Sequence, residues 1–163
     1  MERTARPLIK ARDILPRLTL PRADGEGEIA LSGQQSSLLV FVHPDPCDDC
    51  AAYLGELGGS VEDLRGWATR LLLVAGRDDV GHQPFPVLRD DDGTARHRLG
   101  IGDDEAAVLL TDQWGEVFEV ATFGPGHGFP LPRELVESAK IVDVSCGECN
   151  VPGPEWSEGP PAG

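Results

Sequence analysis

Apolar positions along this chain come in short runs whose period changes from one run to the next. Residues 18–20 (LTL) and 28–31 (EIAL) are separated by the turn-forming DGEG at 24–27, the pattern of a β-hairpin. Residues 37–42 (SLLVFV) form a continuous run of β-branched and large apolar side chains, as in a strand buried on both faces. HPDP at 43–46 stops it, because two prolines remove backbone donors and force an extended loop. The period then becomes helical. Asp48 and Asp49 fit a first turn, where carboxylates favour the helix dipole, and Ala51, Leu54 and Leu57 recur at i, i+3 spacing before Gly58 and Gly59 close the helix. Residues 61–68 predict a second helical segment, 70–75 (RLLLVA) a second buried strand, 86–88 a short strand and 93–99 a short helix ending at Gly100. Residues 106–110 and 116–120 flank DQWG at 112–115, whose glycine suits a hairpin turn. Residues 133–144 predict a final amphipathic helix with Leu135, Val136, Ala139 and Val142 on one side.

Strand–helix–strand alternation argues for a parallel central pair, to which the later hairpin adds antiparallel strands. The expected architecture is an α/β fold with a mixed central β-sheet, helices on both faces and an N-terminal β-hairpin. A chain of 163 residues suits one domain with one core. The expected division is a flexible basic lead-in over 1–12, a folded domain over 13–145, and a segment over 146–163 that joins a cysteine pair to a disordered Pro/Gly-rich tail.

Charge narrows the partners. The 28 acidic residues against 14 basic ones give a net charge of −14, which repels phosphate backbones and anionic lipid headgroups. No nucleic-acid partner and no membrane partner is expected. The opening MERTARPLIKA lacks the apolar run of a signal peptide, and no stretch approaches a membrane span. The expected location is the cytoplasm, where thiols are kept reduced. Four cysteines there point to catalysis or metal binding more than to a structural disulfide framework.

The first pair, Cys47 and Cys50, lies where the buried strand turns into a helix. A helix N-terminus offers unpaired N–H groups and the positive end of its dipole, both of which stabilise a thiolate. Spacing of three on the first turn brings both sulfurs to one face, within reach of a disulfide. Asp48 and Asp49 oppose the thiolate electrostatically. His43 is a candidate base, or a stabilising charge when protonated; alternatively it is an ordinary loop histidine.

FVHPDPCDDC at 41–50, following a buried strand, resembles the active-site segment of thioredoxin-like redoxins. LTLPRADG at 18–25 followed by IALS at 29–32 is similar to the opening hairpin of peroxiredoxins and of the thiol reductases of cytochrome maturation, and FPVLRDDDG at 85–93 and LLTDQWGEV at 109–117 resemble later stations of the same fold. The resemblance implies a thioredoxin-like fold and a redox-active disulfide in place of a bound cofactor. It also implies a protein thiol or disulfide partner, or a small hydroperoxide, and allows a homo-oligomer. The departures matter. The buried acid that assists the second cysteine of thioredoxins aligns with Phe41, and the cis-proline facing the disulfide falls near Ala106. Aligned on peroxiredoxins, Cys50 is the peroxide-attacking thiol, Cys47 replaces a threonine and His43 a proline, while the arginine that steadies the thiolate has no clear counterpart.

The leading expectation is a thiol–disulfide oxidoreductase in which Cys47 attacks, Cys50 resolves and His43 assists, with Cys146 and Cys149 as a secondary redox pair that exchanges with the first. The alternatives are a peroxiredoxin-like peroxidase using Cys50, a non-catalytic thioredoxin-like binding or maturation module, and a four-cysteine metal protein in which Cys47, Cys50, Cys146 and Cys149 hold zinc or an iron–sulfur cluster. The metal reading is disfavoured. In the thioredoxin-like sheet that the resemblance implies, the last helix starts near the active-site edge and runs away from it; residues 133–144 span about 18 Å as a helix, and zinc formats separate their paired cysteines by far fewer residues. His82, His97 and His127 are scattered, and Asp90, Asp91 and Asp92 read as a solvated turn lacking the ligand spacing of a calcium site.

Overall fold

The computed structural model describes residues 7–33, 35–45, 47–76, 82–124 and 128–149, with side chains described as far as Val144. Strands β1 (Thr19–Pro21) and β2 (Glu28–Ala30) pair antiparallel across the expected turn. Strand β3 (Ser36–Phe41) is buried at every position. Both its edges must therefore find backbone partners, since a buried unpaired N–H or C=O is costly. It pairs parallel with β4 (Thr69–Ala75) and antiparallel with β6 (Ala106–Thr111). Strand β5 (Val87–Arg89) extends the sheet beyond β4, and β7 (Val117–Phe123) extends it beyond β6, giving the order β5-β4-β3-β6-β7.

Helices α1 (Asp48–Gly58) and α2 (Val61–Gly66) form the crossover between β3 and β4. Helix α3 (Thr94–Leu99) follows β5, and α4 (Pro132–Cys149) closes the described chain. Alternation along β3 sorts the core into two layers. Leu38, Val40 and Val42 pack with Leu54, Leu57, Leu64, Leu135 and Ala139 from α1, α2 and α4. Leu39 and Phe41 face the other side and pack with Leu20, Leu31, Leu88 and Leu99. The mixed sheet, the hairpin and the helices on both faces agree with the architecture expected from the sequence.

Two boundaries differ. The expected lead-in is not free over 7–12. Ile9 is buried and its N–H bonds the Leu99 carbonyl at 2.9 Å, while Arg12 N–H bonds the Val117 carbonyl at 2.7 Å. Pro7 passes so close to Gly100 that a Cβ there would lie 2.2 Å from the Pro7 carbonyl oxygen, and Gly100 also has φ +78°, a conformation glycine adopts without penalty. Leu8 and Ile9 are apolar residues among basic ones; they pack against the α3 layer while the backbone bonds to Leu99 and Val117 tie the segment down. The final helix does not stop at 144. It continues through Cys149, so the expected boundary between 145 and 146 falls inside a helix. SCGEC at 145–149 lacks proline, and its one glycine costs a helix only about 1 kcal/mol. Residues 1–6 and the expected tail over 151–163 lie outside the described residues. No helix among the described residues is long and apolar enough to cross a membrane.

Candidate functional site

Strand β3 carries the chain to the edge of the sheet, where His43 is the first buried polar side chain after the apolar run. Four residues on, Cys47 N-caps α1 from an extended conformation, and its sulfur accepts the Cys50 N–H at 3.3 Å. That contact is a cap of the kind a serine usually supplies. Cys47 is half-buried, whereas Asp48 and Asp49 on the same turn are exposed. Cys50 is 1% exposed and sits among apolar neighbours, yet its sulfur faces an imidazole. His43 Nδ1 lies 3.1 Å from Cys50 Sγ. No disulfide joins the two sulfurs.

The tautomer of His43 follows from its other nitrogen. Nε2 lies 3.1 Å from the Phe123 carbonyl and 3.1 Å from the Gly124 carbonyl. Carbonyl oxygens only accept, so Nε2 carries a hydrogen shared between them. In the neutral ring Nδ1 then holds the lone pair and accepts from the Cys50 thiol. Passing that proton from Sγ to Nδ1 leaves a thiolate beside an imidazolium whose two N–H groups both keep partners. The arrangement can therefore ionise Cys50 without stranding a charge.

The loop is anchored from behind. The Arg96 guanidinium, on α3, donates to the Val42 carbonyl at 2.7 Å, to the Gly102 carbonyl at 2.9 Å and to the Glu105 carbonyl. It also stacks 5.9 Å from the Phe41 ring centroid, and burial holds its pKa below the ordinary arginine value. Asp90 fixes α3 in turn, accepting from Ala95 N–H at 2.9 Å and Arg96 N–H at 3.0 Å. Asp90 is thus a buried helix cap where the sequence suggested a solvated turn. Asp92 does lie exposed and accepts Thr94 N–H at 3.1 Å, and this contact holds its carboxyl below the ordinary range.

The residues expected at the site fall into two groups. His43, Cys47 and Cys50 come together, with their donor atoms within 4.8 Å of one another. Cys146 and Cys149 are carried elsewhere by the backbone of α4. Near the start of that helix, the Tyr53 hydroxyl donates to the Pro130 carbonyl at 2.7 Å, and its ring stacks on Phe129 at 4.2 Å. Burial raises the Tyr53 phenol above its ordinary pKa. Further along, Lys140 Nζ lies 5.4 Å over Trp67, which precedes β4 at the end of the sheet opposite His43. Cys146 is 14 residues beyond Pro132, about 21 Å along the helix axis. On this backbone path the positions of Cys146 and Cys149 lead away from the first pair. His82 is exposed and His97 half-buried on α3, both outside this cluster, and His127 lies outside the described residues.

No family model and no curated relative matches the sequence. Solved structures do match in shape. Enterococcus faecalis AhpC superposes with a TM-score of 0.74 at 16% identity, covering 88% of this chain and 98% of that one. Reduced Plasmodium vivax 2-Cys peroxiredoxin gives 0.72 at 15% identity, covering 86% and 84%. Xanthomonas campestris peroxiredoxin Q gives 0.64 at 16% identity, covering 82% and 99%. The fold is thioredoxin-like, in the form peroxiredoxins take. Within this thioredoxin-like frame Phe41, which stands where thioredoxins carry a buried acid, packs on the opposite face of the sheet from Cys50. His43, from the adjoining loop, instead places its Nδ1 3.1 Å from Cys50 Sγ. The carbonyls that orient it, from Phe123 and Gly124, lie 80 and 81 residues away, and no sequence signal marks them.

Proposed function

We propose that this chain is a thiol–disulfide oxidoreductase acting through Cys47 and Cys50. The observation that carries the reading is the division of labour between the sulfurs: Cys47 is half-buried at the helix cap, and Cys50 is buried against an oriented base. Cys47 thiolate attacks a partner's disulfide, forming a mixed disulfide and releasing one partner thiolate. His43 Nδ1 takes the Cys50 proton as the Cys50 sulfur attacks Cys47 Sγ. The mixed disulfide breaks, the second partner thiolate leaves, and a Cys47–Cys50 disulfide remains. The partner has gained two electrons and the enzyme has lost them. The sulfurs already lie within 4.8 Å, so closure to about 2.05 Å needs side-chain rotation and little backbone movement. Because α4 carries Cys146 and Cys149 away, the electrons that reopen this disulfide come from a separate thiol donor or from the second pair of another copy.

One observation favours a second reading. The fold matches peroxiredoxins, and the base faces Cys50. There Cys50 thiolate attacks a hydroperoxide, giving a sulfenic acid and an alcohol, and Cys47 condenses with it to the disulfide with loss of water. Serine substitutions separate the two in a background in which Cys146 and Cys149 are also serine. Offered a small aromatic disulfide, Cys50→Ser is expected to accumulate one stable adduct on Cys47, and Cys47→Ser to form none. An adduct on Cys50 alone, with peroxide consumption that survives Cys47→Ser and is lost in Cys50→Ser, overturns the oxidoreductase in favour of the peroxidase.

A further inference from the structure

The same three side chains have a second chemistry. Among the described residues, His43, Cys47 and Cys50 form the group whose donor atoms converge closely enough to hold a metal ion. We propose that His43 Nδ1, Cys47 Sγ and Cys50 Sγ bind a zinc-class divalent cation, leaving its fourth position open at the half-buried mouth beside Cys47. The inference rests on the donor set and its orientation, not on the exchange chemistry, so each can fail without the other.

Three features support it. The donors are two sulfurs and one imidazole nitrogen, a set that selects borderline and soft cations over magnesium or calcium. A tetrahedral zinc ion with bonds of about 2.3 Å to sulfur and about 2.0 Å to nitrogen separates its donors by roughly 3.5–3.8 Å. The present spacings run from 3.1 Å, between Nδ1 and Cys50 Sγ, up to 4.8 Å at most, so adjustments of about 1 Å or less complete the site. The ring is also oriented in advance. A metal-bound histidine normally donates its other N–H to a carbonyl or carboxylate, which fixes the tautomer and turns the lone pair toward the ion. His43 does this with the Phe123 and Gly124 carbonyls, and its lone pair faces Cys50 Sγ.

Charge fits as well. Binding displaces one proton from each thiol and forms two metal–sulfur bonds and one metal–nitrogen bond, so a doubly charged cation with two thiolates is neutral overall. Neutrality suits a site in which one cysteine, Cys50, is buried. Exposed Asp48 and Asp49, on a chain of net charge −14, raise the local cation concentration. Occupied, the site holds both sulfurs as metal thiolates and withholds them from disulfides and peroxides.

The test is a Co2+ titration of the reduced full chain carrying Cys146→Ser and Cys149→Ser, with Zn2+ as competitor. One equivalent of Co2+ is expected to give near-ultraviolet thiolate-to-metal charge transfer and the strong visible bands of four-coordinate cobalt, both abolished by Zn2+. His43→Ala is expected to weaken binding about tenfold or more, the loss seen even when an outer partner of a ligand is removed. Cys47→Ser removes the least buried donor and is expected to abolish the charge-transfer band while circular dichroism stays native. Metal bound only when Cys146 and Cys149 are present overturns the proposal, as does His43→Ala affinity equal to the parent's. Adduct trapping in chelator-treated buffer reports on exchange separately.

Discussion

Replacing His43 with alanine is expected to leave the first step of exchange intact and to stall the second. Cys47 is the N-cap of α1 and keeps the Cys50 N–H at 3.3 Å whether or not the ring is present. Its attack on a disulfide should change less than about threefold, because the cap contact to the Cys50 N–H remains. Closure is different. Cys50 is buried, and its sulfur faces His43 Nδ1 at 3.1 Å. Without the ring the thiol loses the acceptor through which it ionises, and a positioned base is worth about 10²–10⁴ in rate. A slowing of about a hundredfold near neutral pH is expected, seen by rapid quenching and intact mass as a mixed disulfide that builds up before the internal one appears. The substitution also strips the Phe123 and Gly124 carbonyls of their donor, at a stability cost of about 1–3 kcal/mol. Closure at the parent rate would remove His43 from the mechanism.

Arg96→Met is expected to give the largest loss of stability of any single change near the site. One guanidinium satisfies three backbone carbonyls, from Val42, Gly102 and Glu105, tying the end of β3 to the loop before β6. Methionine keeps the apolar stem beside Phe41 but donates nothing, so acceptors in a partly buried setting lose a charged donor. Single charged hydrogen bonds contribute about 1.5–3 kcal/mol and are not additive, which places the net loss at about 3–5 kcal/mol. In a chain of this size that lowers the thermal midpoint by roughly 10 °C. Because the Val42 carbonyl immediately precedes His43, disulfide closure should slow as well, even where the variant remains folded. Arg96→Lys should recover little, since an ammonium group cannot reproduce the planar fork. A midpoint within about 2 °C of the parent would show that water replaces the guanidinium at no cost.

The elements that position the site are legible because each is written locally. The run over 37–42 reads only as a doubly buried strand, two prolines stop it, and paired aspartates before Ala51, Leu54 and Leu57 open a helix, so the sequence alone places Cys47 and Cys50 at a strand-to-helix turn. What escapes is written at a distance. The orientation of the His43 ring is set by the Phe123 and Gly124 carbonyls, and a carbonyl has no sequence signature. Arg96 reads as one basic residue of a short helix until its three acceptors are seen. Asp90 reads as part of a solvated acidic turn, although its carboxylate caps α3. Pro7 to Ile9 read as too short and too basic to matter, and their place depends on the gap that Gly100 leaves. The end of α4 is hidden because SCGEC has neither the apolar stripe that marks a helix nor the proline that ends one.

The proposed exchange requires that Cys47 and Cys50 join. The decisive measurement is a redox titration of the full chain carrying Cys146→Ser and Cys149→Ser against a graded ratio of reduced to oxidised dithiol, read by intact mass and peptide mapping. The predicted result is a reversible two-electron transition in which the chain loses two hydrogens and one peptide links Cys47 to Cys50. Two thiols persisting at the most oxidising end, or a linkage that forms only between chains, would contradict it.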